Sequence, residues 1–315
     1  MIPPTTHALH NITLSLATVL VALASLAFTT FIILPLSLFR PLLVSPQVKP
    51  KVVLVIGASS GIGLEVLKQY STEPITLIAA SSNLAKLKSA IESLGPTNAS
   101  IHLKQVNLKD ASKIIKKAIG DIDKTYGPLT HLYAVSGISN HLDPDSPWDL
   151  RVTEAMISVN ISGTVTAVLS AYELMKERSY GKICIVGSLA GYYSPANMIS
   201  YASTKAFINT FAINLRSLAA PYGVDVITVA PGLIQSRMTD QMRSQGSTVP
   251  AFEYESTSGM ASAMVHAVET GGIPLVAWPW RQSLTFYSFQ ALNPICDSLG
   301  RFIAFKARLT GKKIT

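Results

Sequence analysis

The sequence predicts a doubly wound α/β domain, a mostly parallel seven-stranded sheet with helices on both faces, preceded by one N-terminal transmembrane helix. Three observations lead there. Seven short apolar runs alternate with longer stretches of helical periodicity, the first run ends in a glycine cluster, and the first 39 residues hold no Asp, Glu, Lys or Arg. Of 315 residues, 48% are apolar and 14% charged, against about 25% charged in an ordinary soluble domain. Such a chain can bury a large core, which excludes disorder. Two cysteines cannot staple a chain of this length, which excludes a disulfide scaffold.

The N-terminal element comes first. Residues 12–34 are Leu, Val, Ile, Ala and Phe diluted only by Ser and Thr. As a helix they span about 35 Å, enough for a hydrocarbon core of about 30 Å. Pro35 and Pro41 should end the helix. A cleaved signal would want a positive start and a shorter run. Here the start carries only His7 and His10, and the fixed positive charges follow at Arg40, Lys49 and Lys51. The reading is a retained single-pass anchor over 1–40, with the C-terminal side in the cytosol by the positive-inside bias. The endoplasmic reticulum is the expected membrane. Cys184, in an apparent core strand, fits a reducing compartment. Residues 41–50 hold three prolines and read as a stiff linker.

From residue 51 onward, strands are predicted at 52–56, 75–79, 101–106, 131–135, 182–186, 224–229 and 274–277. Helices are predicted at 61–70, 83–94, 111–126, 154–176 and 199–218. Uniformly apolar short strands separated by helices imply a parallel sheet covered on both faces. One domain, 51–277, accounts for them. His131 opens a strand and reads as structural. No His/Cys cluster has metal-ligand spacing, so no metal is expected.

The first strand runs into Gly57, Gly61 and Gly63 and then a helix. A tight turn with little side-chain bulk lets backbone amides and a helix N-terminus meet a pyrophosphate. A site preferring NAD places an acid after the second strand, near Ala80 here. No Asp or Glu lies between 74 and 91, while Ser59, Ser60, Ser81, Ser82 and Lys86 are available. NADP is therefore favoured over NAD, although no Arg stands nearby in sequence to clamp a 2′-phosphate.

Tyr201 and Lys205 are i and i+4 on a predicted helix, so both can face one site. A free phenol, with a pKa near 10, is a poor proton shuttle, and a close ammonium favours its ionised form. Ser188 follows the fifth strand, where its hydroxyl could polarise a carbonyl oxygen. Together these suit carbonyl reduction, with hydride going to carbon and a proton to oxygen.

At this point the chain resembles the short-chain dehydrogenase/reductase family, with its Rossmann-type fold, over 51–277. The matching elements are Gly57-x-x-x-Gly61-x-Gly63, Asn160, Ser188, Tyr201-x-x-x-Lys205 and Pro231-Gly232, in the family's order and with family-like gaps. The resemblance implies that Tyr201 is the general acid/base and that Lys205 holds the nicotinamide ribose and lowers the phenol's pKa. It implies that Ser188 orients the substrate oxygen and that Asn160 supports a relay water. It implies a cofactor bed of Gly57, Ser59, Ser60, Gly61, Ile62, Gly63, Ser81, Gly137, Tyr201, Lys205, Pro231, Gly232 and Ser236. A homodimer or tetramer is also implied. The chain departs from the family pattern at Ile56, at Asn107 and at Ala134-Val135-Ser136-Gly137.

The stretch 233–262 is polar and holds methionines, where the family builds a mobile substrate lid. The tail, 278–315, supplies six basic residues and one acid to a net charge of +8. Trp278, Trp280, Phe286, Tyr287 and Phe289, then Ile295, Leu299, Phe302 and Ile303 at helical spacing beside Arg301, Lys306 and Arg308, read as a membrane-interfacial segment. A nucleic-acid binder would spread its basic charge over the folded domain, so none is expected. The expected activity is an NADP-dependent ketone/aldehyde–alcohol interconversion on a small apolar substrate, a lipid, steroid, retinoid or secondary metabolite. The alternative is a non-catalytic membrane-bound dinucleotide sensor or scaffold on the same fold. Its signature would be loss of one of the four catalytic-type residues, and none is lost.

Overall fold

A computed structural model describes residues 4–39, 48–139, 149–192, 198–244 and 253–291. The sheet is β1 (Val52–Ile56), β2 (Thr76–Ser81), β3 (Ser100–Gln105), β4 (His131–Ala134), β5 (Gly181–Val186), β6 (Val224–Pro231) and β7 (Leu275–Trp278). All seven predicted strands form, with ends shifted by two residues at most. The order is β3-β2-β1-β4-β5-β6-β7 and every pair is parallel. The chain winds outward from β1 to one edge, returns to β4, and winds to the other. The switch falls between β1 and β4, where open α/β sheets bind ligands beyond the strands' carboxyl ends.

The uniform apolarity of the strands has a direct cause. Successive side chains of a strand point to opposite faces, and both faces are covered. Leu54 and Ile56 pack with Ile115, Ile119, Val168 and Ile208, from α5 (Ser112–Tyr126), α7 (Thr164–Glu177) and α8 (Ile199–Ala219). Val53 and Val55 face the other way, toward Val66, Leu67, Met260 and Met264 of α3 (Gly61–Tyr70) and α10 (Thr257–Thr270).

Three expectations are corrected. The helix predicted at 154–176 begins earlier, as α6 (Leu150–Met156), and passes through a π-type turn at Ile157–Gly163 before α7. Residues 257–262, read as lid, open α10 instead. Thr257, Ser258 and Gly259 hide an apolar face in which Met260, Met264 and Val268 recur every four residues and are buried, and α10 packs on α3. Pro35 does not end the N-terminal helix. α1 (Pro4–Phe28) continues through a π-type turn, Thr29–Ile33, into α2 (Leu34–Phe39). The Leu34 N–H bonds back to the Thr29 carbonyl, and this wider turn accommodates the proline ring where regular helix would press it on the carbonyl four residues back.

An 18-residue window within Thr6–Leu36 has a mean hydropathy of 2.4, and none of that window is buried in the protein. The segment is long and apolar enough to cross a membrane. Leu150–Glu177 is also long and apolar, but 44% of its apolar window is buried and it belongs to the domain. α4 (Leu84–Glu92) starts at the cap residue Asn83, whose Oδ1 accepts the Lys86 N–H at 2.8 Å. α9 (Arg237–Ser244) follows β6. α11 (Trp280–Ala291) follows a cis Trp278–Pro279 bond and lies against α1. The helical pattern at 295–303, and its basic neighbours, fall outside the described residues.

Candidate active site

The cleft lies over the carboxyl ends of β1, β4, β5 and β6. Its volume is about 540 Å³. Gly57 ends β1 with φ +97°, and a side chain there would collide with the backbone of Ser136. An ideal Cβ on Gly63 would lie 2.3 Å from the Gly57 carbonyl oxygen, so α3 can start against the turn only without one. Gly63 therefore shapes the loop from behind. Unlike Gly57, Ser59, Ser60, Gly61 and Ile62, it does not line the cleft. Ser60, at the helix N-cap, makes no side-chain cap bond, and the first-turn amides of α3 lie outside the helix's own ladder.

Ser81 Oγ donates to Ser59 Oγ at 3.1 Å, and Lys86 Nζ to Ser60 Oγ at 3.1 Å. Lys86 sits below the usual lysine range. Burial is the larger cause, and the Arg237 charge is the second. Arg237 lines the same cleft, so the structure supplies the arginine absent from the sequence around the second strand. It arrives from α9, about 150 residues later. Among the described residues, no Asp or Glu lines the cleft, whereas Lys86, Lys109, Lys205 and Arg237 do.

At the other end, α8 carries Tyr201 and Lys205 on one face, as the i, i+4 spacing requires. Tyr201 is 9% exposed. Lys205 Nζ lies 5.9 Å from the ring centroid and donates to the Val186 carbonyl at 3.0 Å. Burial, with no carboxylate partner among the described residues, depresses Lys205 to about 8. Burial also raises the Tyr201 phenol, while its hydrogen bond with Ser188 pulls the other way. Desolvation outweighs that bond, and the phenol holds its proton at neutral pH.

Ser188 Oγ accepts the Ala190 N–H at 3.1 Å and lies 3.3 Å from the Pro231 carbonyl. Its backbone is fixed by a residue the sequence reading missed. Asn209 Oδ1 accepts the Ser188 N–H at 3.3 Å, and Nδ2 donates to the Ser188 carbonyl at 2.9 Å. The signal was available, since Tyr201, Lys205 and Asn209 run i, i+4, i+8 along one helix face. Asn160 sits within the π-type turn and does not line the cleft. Its amide accepts the Ile138 N–H at 2.9 Å, donates to the Ile138 carbonyl at 2.8 Å, and donates to Thr204 Oγ1 at 3.0 Å. It pins the loop after β4 to α8, one layer behind Tyr201. Gly137, Pro231, Gly232 and Ser236 complete the wall.

Sheet order and site together define an open, doubly wound α/β protein with a ligand cleft at its switch point. A family model described as short chain dehydrogenase matches residues 51–247. An uncharacterized oxidoreductase of Staphylococcus aureus is 27% identical over 192 residues, 60% of this chain and 80% of the relative. An NADP-dependent 3-hydroxy acid dehydrogenase of Escherichia coli is 25% identical over 195 residues, 62% of this chain and 77% of the relative. Levodione reductase superposes with a TM-score of 0.67 at 18% identity, covering 74% of this chain and 98% of that one. A short-chain dehydrogenase from Sphingobium yanoikuyae in complex with NADPH gives 0.66 at 17% identity, covering 79% and 95%. The chain belongs to the short-chain dehydrogenase/reductase family and is an oxidoreductase acting on CH–OH and C=O groups.

Proposed function

We propose that this protein is a membrane-anchored, NADP(H)-dependent carbonyl reductase or alcohol dehydrogenase for apolar substrates. The observation that carries the reading is convergence. Tyr201, Ser188 and Lys205 meet in one cleft with the Gly57–Gly61 turn, and a dinucleotide laid along that cleft would reach from the turn to the tyrosine. The residues fit such a group, because the turn is free of side chains where a pyrophosphate would lie and the exposed start of α3 faces it. When bound, a nicotinamide supplies the hydride. The chain's own residues do the rest. Ser188 donates to the carbonyl oxygen and polarises it. Tyr201, held protonated by burial, passes its proton to that oxygen. Lys205, as ammonium, offsets the negative charge left on the phenol.

NADP is favoured over NAD by charge. Lys86 and Arg237 both face the serine-lined end, where no carboxylate repels a 2′-phosphate. The relatives lean the same way, for one is named NADP-dependent and one solved structure holds NADPH. An apolar substrate is supported by the surroundings of Tyr201, where Ile138, Ala190, Met198 and Met238 form the near wall. Methionine walls adapt to bulky apolar shapes. The apolar N-terminal helix would hold that wall close to a lipid reservoir, with the domain on the cytosolic side.

The decisive experiment compares NADPH and NADH consumption by detergent-purified protein across a panel of ketones and aldehydes. NADPH-dependent turnover that rises with substrate apolarity is the expected result. Turnover with neither nucleotide would end the reading. For the anchor, carbonate washing should leave full-length protein in the membrane pellet, and release of a shortened soluble form would refute retention.

A further inference from the structure

Ser188 stands just beyond the end of β5, where the strand ladder no longer holds the backbone. The Gly187 N–H still bonds to the Val229 carbonyl of β6, at 2.7 Å. After it the chain turns over the side chain of Asn209, which is 2% exposed. Oδ1 of that carboxamide takes the Ser188 N–H, and Nδ2 gives to the Ser188 carbonyl. One side chain thus holds both backbone polar groups of the serine, using its acceptor on one and its donor on the other. Glycines make the room for it. An ideal Cβ on Gly187 would lie 1.8 Å from Asn209 Oδ1, and one on Gly191 would lie 2.7 Å from Nδ2. The turn 187–191 is shaped around the amide.

Asn209 lies one helical turn beyond Lys205 and two beyond Tyr201 on α8. Two turns of helix span about 12 Å of continuously bonded backbone, so the three side chains keep their spacing. Without the amide, the serine hydroxyl would be set by the β5 turn and the phenol by α8, two separate elements. Asn209 itself does not line the cleft.

We propose that Asn209 is a positioning residue for the reaction, tying the Ser188 backbone to the helix that carries Tyr201 so that hydroxyl and phenol meet one carbonyl oxygen in fixed register. The proposal rests on the reading of the cleft as a carbonyl-reduction site. The residue acts through Ser188 and touches neither substrate nor cofactor.

The test is a double-mutant cycle in full-length protein in detergent, with wild type, Asn209→Ala, Ser188→Ala and the two changes together. Asn209→Leu, which fills the space without either bond, accompanies the alanine variant throughout. The kinetics use NADPH and whichever methyl ketone, from acetone to 2-tridecanone, the wild type turns over best. NADPH affinity, thermal midpoint and amide hydrogen exchange over 187–191 and over the strands are measured beside them. Ser188→Ala should lower kcat about 10²–10³-fold, the loss of one donor to a developing oxyanion. Asn209→Ala should lower kcat about ten- to a hundredfold, the scale of a misplaced catalytic group, with KM and NADPH affinity within about threefold. Exchange over 187–191 should rise about tenfold, as expected for losing the net worth of one or two buried hydrogen bonds, while the strands keep their protection.

The cycle supplies the specific signature. In the Ser188→Ala background, Asn209→Ala should lower kcat by less than about twofold, because no hydroxyl remains to be misplaced. A merely structural residue lowers kcat by the same factor in both backgrounds, so equal factors would overturn the proposal. Wild-type kcat in Asn209→Ala would overturn it as well. So would failure of both Asn209 variants to fold, which would assign the amide to stability alone. If the wild type turns over no ketone, or Ser188→Ala matches the wild type, the reading of the cleft has failed first. Equal factors in an active enzyme overturn the positioning role alone.

Discussion

β4 and β5 carry buried titratable groups at both of their ends, and the two ends do different things. At the carboxyl end lies the cleft of Tyr201, Lys205 and Ser188. At the amino end lies a closed polar cluster. Tyr70 and Tyr133 share a hydrogen bond at 2.7 Å, Tyr70 also donates to Glu269, and His131 Nε2 faces Glu269 Oε1 at 3.4 Å. Lys182 Nζ donates to the Glu269 carbonyl at 3.1 Å. Burial drives Tyr70 and Tyr133 up and His131 down. Burial would raise Glu269 too, but bonds from His131 and Tyr70 and the charges of His131 and Lys182 outweigh it and bring it below the usual carboxylate range. Perturbation is as strong here as in the cleft. The cluster therefore teaches that a shifted pKa marks burial, and that function needs in addition an opening and a place for a ligand. The closed cluster staples α3 and α10 to the sheet.

Substitutions should separate the two ends. Tyr201→Phe should lower carbonyl turnover by about 10²–10⁴-fold, with nucleotide affinity and thermal midpoint unchanged. Tyr70→Phe should leave kcat untouched. Equal losses in the two would erase the distinction. Next in size, Glu269→Ala should cost about 2–3 kcal/mol in urea unfolding, since Tyr70 loses its acceptor and His131 the carboxylate it faces, while kcat/KM holds in the folded fraction.

The pH dependences should point in opposite directions. Lys205 loses its proton near 8, so kcat/KM for reduction should be level below neutrality and fall above about pH 8. Stability should fall on the acid side. Burial holds His131 below its ordinary value of about 6.5 in the fold, so the unfolded chain takes that proton more readily as pH falls, and Glu269 has a depressed folded pKa, so its contribution is lost as pH falls through that value. Urea midpoints between pH 7 and 4 check this, and a midpoint that rose with acid would reverse the assignment. The smallest effect concerns the cofactor. Lys86→Ala and Arg237→Ala should each reduce the NADPH-over-NADH preference in kcat/KM by about tenfold, the worth of one charged hydrogen bond. An unchanged ratio in both would remove the two-cation argument.

Much of this was legible in the chain itself. Strand positions followed from apolar runs, because a strand covered on both faces has no polar side to interrupt it. The glycine turn and the Tyr201–Lys205 pair were legible because their geometry is local, a tight turn in one case and one helical turn in the other. α10 was not, because three polar residues at its start concealed a buried face that exists only against α3. Spacing reports that an ammonium is near the tyrosine, but the depth of burial, which raises the phenol, is a property of the packed domain.

Sequence alone therefore determined the order of the elements, the apolar N-terminal helix and the residue types of the chemistry, all of which depend on neighbours a few positions apart. Tertiary structure decided which distant residues share a site: Arg237 with Lys86, and Asn209 with the Ser188 peptide. No periodicity encodes those pairs, because they come into contact only when the sheet closes and brings the ends of separate strands and helices to one edge.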